Sequence, residues 1–229
     1  DVITLQEVWQ EGEQNQAELL AIELGLNATY RAEHSIDGGS FGNAVLSRWP
    51  IVGTDTFRYE VDGWEDENRV AVCAHIDGPR GLLDVYSTHL NWRLDHSRPR
   101  QHMVEQLRTF IGQTRSSVFP PIVGGDFNAR PTSAEIRAMT ASKPASQKDL
   151  VFKDAWELAG EGQLGMTWTK DNPYVDDELE PPRRIDYLFV GNPNTDSAGE
   201  VVGCRLHGTR PVDGVWPSDH FAVVADIRY

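Results

Sequence analysis

The sequence contains few cysteines and no long apolar run. Cys73 and Cys204 are the only two cysteines among 229 residues, so at most one disulfide could form, and a domain of this length does not need one. No apolar run approaches the roughly 18 residues of a membrane-spanning helix. We therefore expect no membrane span, and cysteine usage leaves the compartment open, with the cytoplasm favoured.

Positive charge is also scarce. The chain carries 21 lysine and arginine residues against 35 aspartate and glutamate residues, which gives a formal net charge of -14. Long-range attraction of a polyanion to this surface is unfavourable, and this argues against avid, non-specific binding of nucleic acid. A phosphate substrate is not excluded, because a bound cation reverses the local field.

Two common signatures and any sign of a linker are missing as well. The sequence has no Gly-rich P-loop, so nucleotide triphosphate hydrolysis of that type is not indicated. It has no Cys/His quartet for a structural zinc ion. No Ser/Gly tract, charge block or internal repeat divides the chain. We expect one domain spanning residues 1–229 and a monomeric protein.

Short β-branched runs alternate with amphipathic segments. Ala17, Leu20, Ala21 and Leu24 share the face of a helix that ends at Gly25. Further strands are predicted at 1–8 (ending near Glu7), 29–33, 44–48, 49–52, 69–76, 81–90, 183–190, 201–206 and 221–227. Further helices are predicted at 99–111, at 152–159 and after a capping-box pair of Thr132 and Glu135, and a loop is predicted at 37–43. Strands in pairs, with helices between some of them, indicate an α/β (α+β) fold with mixed sheets.

One apolar run, PPIVGGDFNARP, stops at two glycines and presents Asp126 and Asn128 where a strand enters a loop. An isolated D-x-N is more often a turn without chemistry. Other predicted strand ends carry polar side chains too, namely Glu7, His89, Asp186, and Asp219 with His220. Each alone is more often structural, but five such strand ends favour one shared site.

The residue types at these strand ends indicate the chemistry. Carboxylates without a Cys/His quartet suit a hard cation such as Mg²⁺ or Mn²⁺. In proteins, Mg²⁺ held by one or two carboxylates normally acts on phosphate oxygens. The predicted reaction is attack of water on a phosphoester, stabilised by the cation and by His and Asn donors.

The ordered motifs LQEV, STHL, GGDFN, RIDYLFV and SDH, from Leu5 to His220, resemble the motif set of the endonuclease/exonuclease/phosphatase superfamily. The resemblance covers nearly the whole chain. It implies a four-layer α/β sandwich, in which two mixed β-sheets lie face to face between helices and the site lies at one edge between the sheets. It also implies a first strand before LQEV that supplies an Asn to the metal site, and we expect the chain as given to lack that strand.

The resemblance also implies roles at the metal and at the attacking water. Glu7 resembles the principal metal-binding glutamate of the family, and Asp219 a further ligand of the metal or of its water. Asp126 resembles the residue that orients or deprotonates the attacking water. Asn128 resembles its phosphate-binding neighbour.

Two histidines are matched in the same way. His220 resembles the histidine that stabilises the pentavalent phosphorus, and Asp186 the acid that orients it. His89 resembles the phosphate-contacting histidine. Residues near the motifs supply four more candidates for binding the substrate: Asn43, Asn91, Trp92 and Arg184.

Three functions stay open at this stage. The leading prediction is a Mg²⁺- or Mn²⁺-dependent phosphodiesterase or phosphatase, and the acidic surface favours a small or lipid phosphoester as its substrate. The first alternative is a nuclease acting on DNA or RNA. The second is a non-catalytic binding protein that keeps the fold.

Overall fold

The computed structural model describes residues 1–36, 38–61, 68–116, 118–140, 150–160, 162–175, 180–193 and 196–229. Its helices are α1 (Gln16–Leu24), α2 (Ser97–Thr114), α3 (Ala134–Met139) and α4 (Ala155–Ala159). The helix predicted before Gly25 is confirmed, because Asn15 caps its start and Gly25 ends it with a left-handed φ of 66°. In this described part, no helix is long and apolar enough to cross a membrane.

The first sheet contains β1 (Val2–Glu11), β2 (Gln14–Asn15), β3 (Asn27–Ile36) and β4 (Gly39–Ser47). Its strand order is β2-β1-β4-β3, and every pairing in it is antiparallel among the described residues. β4 is therefore a central strand that is paired on both sides.

The second sheet contains β5 (Ile51–Arg58), β6 (Val70–Gly78), β7 (Gly81–His89), β8 (Ile122–Asp126), β9 (Phe152–Asp154) and β10 (Asp186–Gly191). Its order is β5-β6-β7-β8-β10-β9. It is mixed, because β7 and β8 run parallel while its other pairs are antiparallel. A separate antiparallel pair consists of β11 (Val201–His207) and β12 (Ala222–Ile227).

Strand alternation sorts the apolar side chains into layers. Ala44 and Leu46 of β4 pack in a cluster with Ala17 of α1, whereas Val45 packs in a cluster with Val72 of β6. On β6 the next residue, Cys73, faces a third cluster, which includes apolar side chains of α2. Because successive strand residues point to opposite faces, the layers follow the order helix, sheet, sheet, helix. The predicted four-layer α/β sandwich is confirmed, although among the described residues only its second sheet is mixed.

The predicted loop at 37–43 is wrong for its described part, because Gly39–Ser47 forms a strand. Close packing explains the glycines here, since a Cβ on Gly42 would lie 2.0 Å from the Arg31 carbonyl oxygen. The run Gly38–Gly42 also matches the G-x-S-x-G spacing of serine hydrolases. Ser40, however, lies within paired strands and not on the strand-to-helix turn that exposes such a nucleophile.

Two predicted helix starts also differ from the structure. The segment predicted as a helix at 152–159 begins as a strand, Phe152–Asp154, and Asp154 then caps α4 by accepting from the Trp156 amide at 2.9 Å. The predicted capping box is wrong, because Ser133 precedes the first residue of α3. Glu135 is buried and accepts from Arg100 Nε at 2.9 Å. A buried ion pair therefore replaces the expected local cap.

Candidate active site

Three neighbouring strands bring together side chains that are far apart in the sequence. The parallel register of β7 and β8 pairs His89 with Asp126, and the antiparallel register of β8 and β10 pairs Asp126 with Asp186. All three residues therefore lie at one edge of the second sheet. They point to the same face, because residues directly opposite each other on paired strands share a face.

The glycines before Asp126 allow this strand to lie close to its neighbours. A Cβ on Gly124 would lie 2.2 Å from Thr4 Oγ1, and a Cβ on Gly125 would lie 2.2 Å from the Thr88 carbonyl oxygen. No larger residue fits either position without a shift of the surrounding structure. The pair of glycines thus brings β8, and the site at its end, into contact with both sheets.

Asp126 and Asn128 form one rigid unit. Asn128 has a left-handed φ of 49°, and its backbone amide donates to Asp126 Oδ1 at 2.7 Å. Its side-chain amide donates to Asp126 Oδ2 and to the Leu90 carbonyl oxygen, each at 3.2 Å. Three donations from Asn128 therefore fix the carboxylate and the loop to β7.

His220 is oriented by Asp186. Its Nδ1 lies 2.8 Å from Asp186 Oδ2, so Nδ1 carries the proton and the Nε2 face is left for a ligand. Burial alone would lower the pKa of His220, but the charge and hydrogen bond of Asp186, with Asp126 and Asp219 nearby, raise it to about 10. The Trp168 ring packs on the imidazole at 4.7 Å between centroids. His220 is thus an imidazolium at neutral pH.

The two aspartates at this edge have opposite pKa shifts. Burial would raise the pKa of Asp126, but the hydrogen bond from His89, the charge of His220 and the Asn128 amide outweigh it and hold that pKa below its ordinary value. For Asp186, burial and the charge of Asp126 outweigh His220, and the pKa is raised. Asp126 is therefore the ionised acceptor of the pair.

His89 is held by two residues that sequence analysis did not single out. Arg69 Nη1 lies 2.8 Å from His89 Nδ1 and 3.1 Å from Glu33 Oε2, and all three residues are buried. Arginine has no acceptor atom, so His89 Nδ1 accepts from Arg69, while His89 Nε2 lies 3.1 Å from Asn128 Nδ2 and 3.3 Å from Asp126 Oδ2. Glu33 is the last residue of the predicted strand 29–33, and Arg69 is the first residue of the predicted strand 69–76. Their positions at strand ends are the feature of the sequence that could have identified them.

Glu7 and Asp219 contribute more accessible carboxylates. The predicted end of the first strand near Glu7 is wrong, because β1 continues to Glu11 across an irregularity between Leu5 and Val8. At that bulge Glu7 has a φ of 54°. The Glu7 side chain is 65% exposed, and its Oε1 lies 3.9 Å from His89 Nδ1. Asp219 is half-buried and lies next to His220 in the sequence. Bulges commonly re-aim a side chain next to a site.

This set of donors fits a divalent cation. Glu7 and Asp219 offer accessible carboxylate oxygens, the ligands that Mg²⁺ and Mn²⁺ prefer. Ligand atoms of Asp126, Asp186 and His220 also lie within 4.8 Å of one another. A cation at this edge would therefore meet several oxygen ligands next to an imidazolium.

The four further substrate-binding candidates are placed differently from one another. Asn43 is fully buried and donates to Glu33 Oε1 at 3.0 Å, and Asn91 is buried and accepts from the Arg93 amide at 3.0 Å. Arg184 is buried and pairs with Asp154 on the far side of β10 at 2.5 Å. Trp92, by contrast, is 57% exposed. Of these four side chains, only that of Trp92 is open to a substrate.

An open groove leads away from the sheet edge that carries Asp126 and Asp186. It encloses about 700 Å³ between β1 and the pair β11 and β12, with Asp186 and His220 at one end. Val2, Leu83 and Ile122 contribute to its apolar wall. The site is thus reached from a cleft between the first strand and the last.

Two curated proteins are similar to this chain. The chain is 26% identical over 250 residues to a putative neutral sphingomyelinase of Drosophila melanogaster, covering 100% of this chain and 53% of that protein. It spans about half the length of the curated relatives it matches.

Two solved structures show the same fold. The D. rerio TDP2 complexed with a single-strand DNA product matches with a TM-score of 0.75 at 20% identity, covering 100% of this chain and 86% of that one. An endonuclease/exonuclease/phosphatase from Beutenbergia cavernae matches with a TM-score of 0.73 at 24% identity, covering 100% and 62%. A sequence model of the endonuclease/exonuclease/phosphatase family matches residues 1–220. The chain therefore belongs to the endonuclease/exonuclease/phosphatase family.

Proposed function

We propose that this chain hydrolyses a phosphoester with a divalent cation, Mg²⁺ or Mn²⁺, and an activated water. One observation carries the proposal: the Asp126 carboxylate lies within 4.8 Å of the His220 imidazole, which Asp186 Oδ2 orients at 2.8 Å, at one edge of the sheet. Attack on phosphorus needs an acceptor for the proton of the water and a donor for the charge that develops on the phosphoryl oxygens. The two side chains supply these two needs.

Glu7 and Asp219 are the residues that would hold the cation. When bound, the cation would neutralise charge on the phosphate oxygens. Its positive charge would also offset the net charge of -14, which otherwise repels an anionic substrate.

Each side chain at this edge has its own role in this proposal. Asp126 orients the water and accepts its proton, while Asn128 keeps the carboxylate from rotating. His220 donates from Nε2 to a phosphoryl oxygen, and Asp186 holds the imidazole ring in that tautomer. His89, held by Arg69, presents its Nε2 atom to the same edge.

A lipid or small phosphoester is the proposed substrate class. The acidic surface supports it because a long polyanion is repelled, and a curated relative carries the name of a sphingomyelinase. The second candidate substrate is single-stranded nucleic acid. It is favoured by the exposed Trp92, whose ring has the Arg93 guanidinium 5.7 Å from its centroid, since stacked aromatic and arginine groups bind bases.

The test compares turnover of four substrates: bis-p-nitrophenyl phosphate, p-nitrophenyl phosphate, sphingomyelin vesicles and single-stranded DNA, each with Mg²⁺, Mn²⁺ or EDTA. We expect Asp126→Asn and His220→Ala each to lower kcat by at least about 100-fold. Asp77→Asn, an exposed acid at the end of β6, is the matched control and should keep the wild-type rate. Wild-type rates in both site variants would refute the proposal.

The non-catalytic alternative makes a different prediction. Calorimetric titration with Mn²⁺ would then give either no binding or binding without turnover of any of these substrates. Turnover that EDTA abolishes and Mn²⁺ restores would reject that alternative. Loss of DNA cleavage in Trp92→Ala, with bis-p-nitrophenyl phosphate turnover unchanged, would favour nucleic acid over lipid.

A further inference from the structure

A second cluster of ligating side chains lies on the second sheet, away from the candidate active site. It consists of Asp55 on β5, Cys73 and His75 on β6, and Asp84 on β7. Asp84 precedes His89 by five residues on the same strand, which corresponds to roughly 17 Å at about 3.3 Å per residue. The two sites therefore lie well apart along β7, and because the separation is an odd number of residues, Asp84 and His89 face opposite sides of the sheet.

The imidazole of His75 is the centre of this cluster. Its Nδ1 lies 2.7 Å from Asp84 Oδ1, and its Nε2 lies 2.8 Å from Asp55 Oδ2. The Cys73 sulfur lies 4.0 Å from both ring nitrogens. Cys73 and Asp84 are fully buried, whereas 18% of the His75 side chain is exposed. A small ion could thus enter from the His75 side.

The distances are close to those of a metal centre. Ligand atoms of Cys73, His75 and Asp84 all lie within 4.8 Å of one another. Tetrahedral zinc, with bonds of about 2.0–2.3 Å, places its ligand atoms about 3.3–3.7 Å apart. Small side-chain rotations would give this geometry if they lengthened the 2.7 Å distance between His75 Nδ1 and Asp84 Oδ1 and shortened the 4.0 Å distance between His75 Nδ1 and the Cys73 sulfur.

The partners behind these three ligands match those of known zinc sites. A histidine that binds a metal almost always donates its other ring nitrogen to a carboxylate or carbonyl, and Asp55 already occupies that position on Nε2. Ligating carboxylates are themselves hydrogen-bonded, and the Ser116 amide donates to Asp84 Oδ2 at 2.5 Å. The geometry therefore includes the outer contacts as well as the ligands.

We propose that Cys73, His75 Nδ1 and Asp84 form a binding site for Zn²⁺, with Asp55 orienting the imidazole. A thiolate, an imidazole and a carboxylate together select zinc over Mg²⁺. Binding displaces two protons, one from the Cys73 thiol and one from His75 Nδ1, so the net charge of the cluster is unchanged.

The cluster has a metal-free state that competes with zinc. Burial tends to lower the pKa of His75, but hydrogen bonds to Asp55 and Asp84 outweigh it and raise that pKa. Burial raises the pKa of the Cys73 thiol to about 12. Without metal, His75 is thus an imidazolium between two carboxylates, and Cys73 is a neutral thiol. Only zinc binding turns Cys73 into a thiolate.

Co²⁺, which replaces zinc and reports on thiolate ligands, is the probe. Titration of the chain with Co²⁺ should give a sulfur-to-cobalt charge-transfer band that added Zn²⁺ removes. Cys73→Ser should abolish the band, and Cys204→Ser, which changes the other buried free cysteine, should keep it. His75→Gln should also abolish the band, which gives a second variant if Cys73→Ser folds poorly by circular dichroism.

Two further variants separate this site from the candidate active site. A Glu7→Gln/Asp219→Asn double variant should keep the charge-transfer band. Asp55→Asn should weaken Zn²⁺ affinity by about 10–100-fold, as loss of an outer-shell carboxylate typically does. The proposal is overturned if wild-type protein shows no band, if the band survives in Cys73→Ser, or if the active-site double variant loses it.

Discussion

Replacing Arg69 by methionine removes the residue between Glu33 and His89. Glu33 is 3% exposed, and its carboxylate would then keep the Asn43 amide at 3.0 Å and a hydrogen bond from the Val70 backbone. Removal of one partner from a buried ion pair costs about 3–5 kcal/mol, and the remaining Asn43 contact argues for the lower end, about 3 kcal/mol. At 2–4 °C per kcal/mol for a chain of this length, we expect Tm to fall by about 6–12 °C.

The assays are thermal unfolding for Tm and urea unfolding for the free energy, both followed by circular dichroism. Arg205→Met is the matched control, because the pair of Arg205 and Asp226 is of similar length, 2.7 Å, but 45% and 58% exposed, and exposed pairs contribute about 0–1 kcal/mol. Glu33→Gln in the Arg69→Met background should recover part of the loss, since no buried charge is then unpaired. A loss below about 1 kcal/mol in Arg69→Met, or no recovery in the double variant, would refute the reasoning.

Three further predictions concern other parts of the molecule. Gly125→Ala should lower the free energy of unfolding by about 1–3 kcal/mol, because its Cβ would lie 2.2 Å from the Thr88 carbonyl oxygen. Gly203→Ala is the control, because its Cβ would lie 3.2 Å from a side-chain oxygen, and it should lower the free energy of unfolding by less in the same urea assay. The pKa of His75 is raised in the fold, so the stability difference between wild type and His75→Gln should be largest below about pH 6.5 and fall as pH rises further. NMR titration of the metal-free chain should find His220 protonated at about pH 8 and titrating at lower pH in Asp186→Asn.

The strand-end residues could be predicted because their signal is local. An apolar run that stops at Asp126 or His89 identifies a polar side chain at the edge of a sheet, whatever the order of the strands. Sequence alone could not show that β7 and β8 run parallel, which is the pairing that brings those two residues together. The shared site therefore depends on a register that only the tertiary structure reveals.

The residues that hold His89 could not be predicted in the same way. Glu33 and Arg69 look like ordinary charged residues at strand ends, and their importance comes from burial and from a contact across 36 positions. Arg184 shows the converse, because its position next to a motif favoured a substrate role and the fold instead pairs it with Asp154. Proximity in sequence to a motif says little about which face a long side chain occupies.

Glu7 combines a proposed function with backbone strain. Its φ of 54° is a left-handed conformation that costs an L-residue roughly 1–2 kcal/mol, and such strain persists where the surrounding structure enforces it. Glycine adopts this conformation freely but adds about 0.5–1 kcal/mol of unfolded-chain entropy. We expect the free energy of unfolding of Glu7→Gly to equal that of wild type or to exceed it by up to about 1.5 kcal/mol, while Mn²⁺ binding is lost.

Glu7→Gln separates the two effects, because it removes the carboxylate and keeps the strained backbone. It should lose Mn²⁺ binding by calorimetry to the same extent as Glu7→Gly, but it should not share any gain in stability. If Glu7→Gly were instead less stable than Glu7→Gln by more than about 1 kcal/mol, the side chain would be holding the bulge, and the strain would not be the consequence of aiming a metal ligand.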